Sequence, residues 1–263
     1  MFKAALKIIA MSVCFFVAKM LRVQRKPAIL MYHSFDREAW QYGVHPDALC
    51  KQIHYLMQRH QIVPLADIVS HAKGTKEISK GSVALTVDDG YLDTYTEFFP
   101  LAKKYDIPFT LFLTTDLSSS ESLGNLPRPS VVQLQEMFDS GLMEMGLHGH
   151  THTHFTEVFD NQAINAEIRQ SEDFIYLHFG VRTKCVAYPS GRRSKDIVEY
   201  FQNVAGYDAG LAITSGFVSQ GDNVFALKRV EVSRNVPTLL LFKLRLTPAL
   251  VVYNALIKKI WKV

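Results

Sequence analysis

Short apolar runs alternate with helical periodicities along most of the chain. Runs of strand length occur near residues 28–32, 83–87, 109–113, 144–147, 185–188, 209–214 and 225–232. Between them, apolar residues recur every three or four positions, most clearly in 46–60, 91–105, 131–140 and 161–179. That spacing is typical of amphipathic helices. About seven strand–helix alternations without an internal repeat predict a parallel sheet that closes into a barrel.

We therefore predict an α/β fold, a distorted (β/α)7-type barrel, for a single domain over residues 27–236. A chain of 263 residues suits one large domain of this kind. Residues 237–263 form an apolar and basic helical tail, which Pro248 divides into two pieces. In such barrels the chemistry lies at the carboxyl ends of the strands.

The first 26 residues differ in kind from the rest. An apolar run from Ile8 to Val17 follows Lys3 and Lys7, and further basic residues come after it. Its length suits the core of a signal peptide better than a membrane span, although no small-residue cleavage pattern follows. An uncleaved anchor, a surface-lying helix and a packed amphipathic helix are alternatives. This segment predicts an exported or membrane-anchored protein of the cell envelope, with the cytoplasmic face of the membrane as the alternative.

Composition excludes several classes of protein. Hydrophobic residues make up 48% of the chain and charged residues 21%, which is ordinary for a globular protein with a sizeable core. The net charge is +4 and no long Lys/Arg block occurs, so nucleic acid is not an expected partner. Three widely spaced cysteines argue against a disulfide framework.

Two adjacent carboxylates end the second apolar run. Asp88 and Asp89 follow Val87 directly, and Gly90 closes the segment, which predicts a buried strand that delivers both side chains to a pocket. Neighbouring carboxylates repel each other unless a cation lies between them or one is protonated. A plain Asp-Gly turn is the alternative interpretation.

A cluster of histidines lies sixty residues further along. His148, His150, His152 and His154 are four of the ten histidines in the chain. In an extended strand they would share one face and could not all bind one ion, whereas a helical turn after Gly149 would bring the first and third together. Two imidazoles and one carboxylate are a standard ligand set for a catalytic divalent metal. The second and fourth histidines have the same spacing, and a solvated histidine-rich loop is the remaining alternative.

The adjacent carboxylates can divide the work of a hydrolytic site. One aspartate would bind the cation. The other would take a proton from the attacking water, whose pKa a divalent cation lowers toward neutrality. The sequence therefore predicts a metal-dependent hydrolase.

Two motifs carry a resemblance to a known family. Thr86–Gly90 corresponds to a typical Thr-Phe-Asp-Asp-Gly pattern with Val87 in place of the phenylalanine, and Gly146–His152 matches Gly-x-His-(Ser/Thr/Gly)-x-x-His. With them the chain resembles the polysaccharide deacetylases of carbohydrate esterase family 4, which have the NodB-type domain. The resemblance implies that Asp88 is the general base and that the metal ligands are Asp89, His148 and His152. It also implies one divalent metal ion, zinc by default, with cobalt, nickel or iron as alternatives.

Further segments are similar to the branch of this family that acts on poly-N-acetylglucosamine. They are Tyr32-His33, Ala187–Gly191 and Leu227–Val230. In that comparison the backbone N–H of Ser190 helps to hold the oxyanion, and Arg229 orients the aspartate base. The implied substrate-binding residues are Tyr32, Tyr188 and Pro189.

The chain departs from the family pattern at the general acid. The family's late Leu-x-x-His has no counterpart, because the last histidine of the chain is His178. The arginine that begins the third motif of the larger branch is also absent, and Ser190 replaces an aromatic residue. Protonation of the leaving group then falls to His33, which is otherwise a substrate contact, or to water at the metal.

The resemblance implies a metal-dependent N-deacetylase whose partner is an N-acetylated polysaccharide or oligosaccharide. A membrane surface is a second partner, reached through the N-terminal segment. The alternative function is a catalytically weak or silent glycan-binding domain that retains the barrel and the metal pocket. Other metallohydrolases fit less well, because metallo-β-lactamases require His-x-His-x-Asp-His, and no aspartate follows His152 in this pattern.

Overall fold

The computed structural model describes residues 2–36, 40–118, 123–156, 161–204 and 206–261. Seven parallel strands form a closed barrel in chain order. They are β1 (Ala28–Tyr32), β2 (Val83–Asp89), β3 (Phe109–Leu113), β4 (Met143–Leu147), β5 (Cys185–Ala187), β6 (Ala209–Ser215) and β7 (Leu227–Glu231). Since β1 pairs with β2 on one side and with β7 on the other, the predicted (β/α)7-type barrel is confirmed.

Helices fill most of the connections between the strands. They are α1 (Phe2–Met20), α2 (Pro46–Arg59), α3 (Leu65–Ala72), α4 (Phe99–Tyr105), α5 (Val131–Asp139), α6 (Asn161–Phe179), α7 (Lys195–Glu199), α8 (Leu239–Arg245) and α9 (Ala249–Trp261). The segment before α4 is a π-helical turn, Thr94–Phe98, where the sequence predicts a continuous helix. Pro100, near the start of α4, has no backbone N–H to donate to the preceding turn. The backbone hydrogen-bond pattern changes from π-helical to α-helical at this point.

The strands have buried side chains on both of their faces. Every residue of β1, β2 and β3 is buried, as expected when the outer face of a parallel sheet is covered by helices and the inner face fills the barrel. Polar side chains are nevertheless present among the buried residues, notably Thr86, Asp88 and Arg229. A buried polar group is costly unless it is paired, so these residues mark the end of the barrel where the site lies.

The N-terminal helix and the C-terminal tail are packed together beside the barrel. Met11 and Cys14 of α1 belong to the same hydrophobic cluster as Leu241 of α8 and Leu250 of α9, and this cluster continues into the strands. One face of α1 is therefore part of the protein core.

No single helix in the described ranges is long and apolar enough to cross a membrane. The pair Leu239–Arg245 and Ala249–Leu256 meets the length and composition requirement together, but its two members are bent by 84° relative to each other.

Candidate active site

The two adjacent aspartates at the end of β2 have different partners. The Oδ1 atom of Asp88 accepts a hydrogen bond from Nη1 of Arg229 on β7, at 2.7 Å. Arg229 also donates through Nε to the carbonyl of Ala212 at 3.0 Å, and it is fully buried. Closure of the barrel, which brings the last strand beside the first, places β7 within reach of β2. The arginine therefore holds one carboxylate of the pair in a fixed orientation.

The charge of Asp88 is stabilised although the side chain is buried. Burial by itself raises the pKa of this carboxyl, but the Arg229 guanidinium, His148 and His33 hold it below its usual range. A buried carboxylate next to an always-charged guanidinium stays ionised. Asp88 is thus available as a proton acceptor at neutral pH.

Asp89 faces two imidazoles. Its Oδ1 atom lies 3.2 Å from Nε2 of His148 and 3.6 Å from Nε2 of His152. Within the described residues these three form the group whose ligand atoms all lie within 4.8 Å of one another. Asp89 Oδ1 is also buried without a hydrogen-bond partner in that part of the chain. A buried oxygen and two ring nitrogens directed at one point fit a divalent cation.

Both imidazoles can present the Nε2 lone pair that a metal needs. Nδ1 of His148 lies 2.7 Å from the carbonyl oxygen of Ala187, which can only accept, so this nitrogen carries the proton. For His152, burial and the charge of His148 lower the pKa to about 4, so the ring is neutral at pH 7. The fold thus brings together the three metal ligands predicted from the sequence, Asp89, His148 and His152.

The histidine loop converges without the expected helical turn. Residues 148–154 form an irregular loop, in which Gly149 has a φ of +84° and His152 a φ of +66°. From α6, Glu167 accepts hydrogen bonds from the backbone N–H (2.6 Å) and the hydroxyl of Thr151. Two left-handed residues, Gly149 and His152, on either side of the segment that Glu167 holds through Thr151, replace the helical spacing.

The other two histidines of the cluster have different surroundings. Nδ1 of His150 lies 2.9 Å from the hydroxyl of Thr115, and Nε2 of His154 lies 3.0 Å from Oγ of Ser190. Neither belongs to the group around Asp89. The alternative pair of metal ligands considered from the sequence, His150 with His154, therefore does not face Asp89.

Backbone strain is concentrated at this site. In the described parts of the chain, six non-glycine residues have a positive φ, and Asp89, His152 and Ser190 are three of them. Such conformations cost about 1–3 kcal/mol each and persist where the surrounding structure enforces them. The strain indicates that the surrounding fold holds the side chains of the site in fixed positions.

Arg128 is a site residue that the sequence motifs did not reveal. Its Nη2 donates to the carbonyls of Asp89 at 2.7 Å and Thr114 at 2.6 Å, and its guanidinium lies over the ring of Tyr91. It thus ties together the carboxyl ends of β2 and β3 behind the strained backbone of Asp89. Only its position after a proline in a polar loop was visible in the sequence, which does not distinguish it from other loop arginines.

The site opens into a cavity of about 480 Å³ at the carboxyl ends of the strands. Of the predicted site residues, the wall includes His33, Asp88, Asp89, His148, His152, Tyr188 and Ser190. Arg229 lies behind the wall and reaches the site through Asp88. The hydroxyl of Tyr188 donates to the carbonyl of Phe225 at 3.1 Å, which fixes the ring at the wall.

Two of the predicted substrate-binding residues, Tyr32 and Pro189, do not line the cavity. Tyr32 is completely buried, and its hydroxyl donates to Gln52 of α2 at 3.1 Å. Because alternate residues of a strand face opposite sides, His33 lines the cavity whereas Tyr32 points into the core. Pro189 is buried and does not line the cavity either.

Aromatic side chains that the sequence analysis missed form one side of the cavity. Trp40 lies between Tyr42 and Tyr91, with ring centroids 5.3 and 5.1 Å away, and Tyr42 in turn lies 5.3 Å from His33. Trp40 and Tyr42 come from the irregular connection between β1 and α2, where no periodicity exists to predict their direction. Rings of this kind offer apolar faces to a ligand.

A polar network fastens this connection to the barrel. The hydroxyl of Ser34 hydrogen-bonds the carboxylates of both Asp93 and Asp36, and Arg234 donates to Asp36 at 2.9 Å. Burial, together with the charges of Asp36 and Glu97, raises the pKa of Asp93 to about 6. Since Ser34 has one hydroxyl proton, it donates to one of the two carboxylates at a time, and below about pH 6 a protonated Asp93 can complete the chain by donating to Ser34.

We expect Asp93→Asn to stabilise the protein at alkaline pH. The folded state binds the Asp93 proton more tightly than the unfolded chain does, so ionisation costs stability as pH rises from about 4 through 6. Removing this charge should raise the free energy of unfolding by about 3 kcal/mol near pH 8, with no difference near pH 4. Urea unfolding of both proteins at the two pH values measures the effect.

Asp36→Asn is the matched control, because Asp36 accepts from Arg234 as a carboxylate. It should lower stability rather than raise it. A less stable Asp93→Asn protein at alkaline pH would show that the network requires the Asp93 charge.

Comparison with known proteins agrees with this geometry. A family model described as polysaccharide deacetylase matches residues 75–210. A poly-beta-1,6-N-acetyl-D-glucosamine N-deacetylase from Staphylococcus aureus (strain MRSA252) is 26% identical over 212 residues, which cover 78% of this chain and 72% of that protein.

Solved structures support the same fold. The structure of IcaB from Ammonifex degensii superposes with a TM-score of 0.74 at 21% identity, covering 84% of this chain and 97% of that one. The Streptococcus pyogenes deacetylase PplD in complex with acetate gives a TM-score of 0.70 at 23% identity, covering 81% and 95%. At these identities the likeness concerns the fold alone. The family model, however, spans more than half of the residues, and the chain therefore belongs to the polysaccharide deacetylase family.

Proposed function

We propose that the chain is a metal-dependent N-deacetylase that removes acetyl groups from N-acetylated sugars of a polysaccharide. The observation that carries the proposal is the different environment of two adjacent acids in one cavity. Asp88 is paired with Arg229, whereas Asp89 faces His148 and His152. One acid is thus kept for proton transfer while the other belongs to a metal-type ligand set.

Asp89, His148 and His152 would hold the cation. When bound, a divalent metal would polarise the acetamide carbonyl and lower the pKa of the attacking water. Zinc is the default for two nitrogens and one carboxylate, and cobalt, nickel or iron accept similar ligands. The pKa of His148 is raised overall, because the Asp89 hydrogen bond and the two carboxylate charges outweigh its burial. Metal binding should therefore compete with protonation of this ring.

The remaining residues would act on the proton and on the developing charge. Asp88 takes a proton from the water that attacks the carbonyl carbon, and Arg229 keeps its carboxylate aimed at that water. The backbone N–H of Ser190, in a left-handed turn at the cavity wall, would donate to the oxyanion. Collapse of the tetrahedral intermediate breaks the C–N bond and gives acetate and a free amine.

His33 is our candidate for the general acid that the family motif would otherwise supply. It lines the cavity together with Asp88, and its Nδ1 atom is buried without a hydrogen-bond partner in the described residues. Because the imidazole lines the cavity in which the amine would leave, His33 is placed to exchange a proton with that amine.

The substrate class is supported by the named activity of the Staphylococcus aureus relative and by the aromatic wall of the cavity. We propose an N-acetylglucosamine polymer of the cell envelope. Release of acetate from an N-acetylglucosamine oligomer, with and without a chelator, tests the activity. A protein that binds the oligomer and releases no acetate at any metal loading would instead be the silent glycan-binding domain.

We expect one equivalent of zinc to bind the purified chain and His152→Ala to weaken that binding. Loss of a direct ligand should cost more than the roughly 10–100-fold seen for outer-shell changes. Competition with a chromophoric chelator measures the affinity without reference to catalysis.

His150→Ala is the control from the same loop, since His150 contacts Thr115 instead of Asp89. Its zinc affinity should match that of the unmodified protein. Equal losses in the two variants would mean that the loop as a whole, rather than the ring of His152, determines binding.

A further inference from the structure

Helix α1 carries an apolar stripe that no other described part of the chain covers. Its five members are spaced three and four residues apart and are between 51% and 83% exposed: Leu6, Ile9, Val13, Phe16 and Met20. At helical spacing these positions share one face. On α9, which packs beside α1, Val251 and Leu256 are exposed as well.

The opposite face of α1 is occupied by the protein itself. Met11, Cys14 and Ala18 are buried, and the first two belong to the main hydrophobic cluster. Lys7 and Met11 also line a cavity of about 220 Å³ together with Ser215, the last residue of β6. The helix thus packs against α8 and α9 with one apolar face and presents a second apolar face outward.

Charge is distributed very unevenly between the terminal segments and the barrel. Residues 1–35 and 232–263 hold twelve of the 29 Lys and Arg residues and none of the 25 Asp and Glu residues. The formal charge of these two segments is therefore +12. Residues 36–231 hold the other 17 basic residues and all 25 acidic ones, a formal charge of −8. Lys19, beside the last residue of the stripe, and Arg22, Arg25 and Lys26, which follow it, are all exposed.

We propose that α1 lies in the plane of an anionic lipid bilayer surface, with the stripe at the headgroup–acyl boundary and the basic residues among the headgroups. An amphipathic helix with a long apolar face and basic flanks binds such a surface through burial of its apolar side chains and through electrostatic attraction to the anionic headgroups. The acidic barrel would be turned away from the lipid by the same field. In this arrangement α1 keeps its inner face packed against α8 and α9.

A bilayer fits this surface better than a second copy of the chain does. A symmetric contact through α1 would place two copies of residues 1–35, each with a formal charge of +6, against each other. Like charges across an interface oppose association. Anionic headgroups supply the compensating charge, and the acyl boundary accepts the apolar side chains.

Sedimentation of the full chain with lipid vesicles tests the proposal. We expect binding to phosphatidylcholine vesicles that contain about one-third phosphatidylglycerol, weak binding to pure phosphatidylcholine, and release at about 0.5 M salt. The triple variant Ile9→Ser, Phe16→Ser, Met20→Ser should lose about tenfold or more of the binding. Its acetate release from a soluble oligomer should equal that of the unmodified chain, so failure of the membrane proposal and failure of the enzymatic one are separable.

Val132→Ser with Leu177→Ser is the matched control, since these residues of α5 and α6 are each 78% exposed. It should bind vesicles like the unmodified chain.

Three outcomes would overturn the proposal. They are no binding to anionic vesicles, undiminished binding of the triple variant, and a dimer in light scattering that the triple substitution abolishes in the absence of lipid. Retention after alkaline carbonate extraction would show insertion across the bilayer and overturn the in-plane arrangement.

Discussion

Replacing Asp88 with asparagine is expected to lower the rate of acetate release by about 10²–10⁴-fold while leaving the metal content unchanged. The substitution removes the proton acceptor and keeps the size of the side chain. It leaves Asp89, His148 and His152, the proposed ligands, in place. Steady-state acetate release and metal analysis of the same preparation measure the two effects.

Asp89→Asn is the informative counterpart, because it alters the neighbouring acid by the same chemical change. It should lose metal affinity and activity together, whereas Asp88→Asn loses activity alone. If Asp88→Asn retained near-normal turnover with a full complement of metal, the proton-accepting role of Asp88 would have to be abandoned.

Replacing Arg229 with methionine is expected to destabilise the protein by about 3–5 kcal/mol, because it leaves a buried carboxylate without its cation. Arg229 Nη1 and Asp88 Oδ1 are 2.7 Å apart, and the two side chains are 0% and 2% exposed. The double variant Arg229→Met, Asp88→Asn should recover part of this loss, because no uncompensated charge remains. Urea unfolding of the single and double variants measures the coupling.

Lys228 provides the control on the same strand. It lies 3.8 Å from Asp222 and is 44% exposed, so Lys228→Met should change stability by about 1 kcal/mol or less. A similar small effect for Arg229→Met would mean that Asp88 relaxes or is hydrated when its partner is lost. A double variant as unstable as the single one would show that the hydrogen bond to Ala212, and not the ion pair, is the main contribution.

The local pattern of apolar and polar residues was sufficient to predict most of the architecture. Strands β1, β2 and β3 lie where uninterrupted apolar runs predicted them, since a strand buried on both faces has to be apolar throughout. The helix Asn161–Phe179 was also predicted with its observed bounds. Family motifs, which are short and contiguous, led to Asp88, Asp89 and the histidine cluster.

The direction in which a side chain points was harder to predict than the position of its strand or motif in the sequence. Tyr32 and His33 are neighbours in the sequence, yet one points into the core and the other into the cavity. The histidine loop brings His148 and His152 together through left-handed residues instead of the expected helical turn. Which side a residue faces depends on the exact end of a strand and on loop dihedrals, and neither leaves a periodic trace in the sequence.

The sequence by itself determined the alternation of strands and helices, the acidic pair after β2 and the excess of basic residues at both ends, because these depend on residue type and short spacing. Only the tertiary structure decided that Arg229 meets Asp88 across 141 residues, that Arg128 braces the backbone of Asp89, and that α1 has both a packed and an exposed apolar face. The physical reason is closure of the barrel, which brings together residues that no local pattern relates. Contacts of this kind arise from the path of the whole chain.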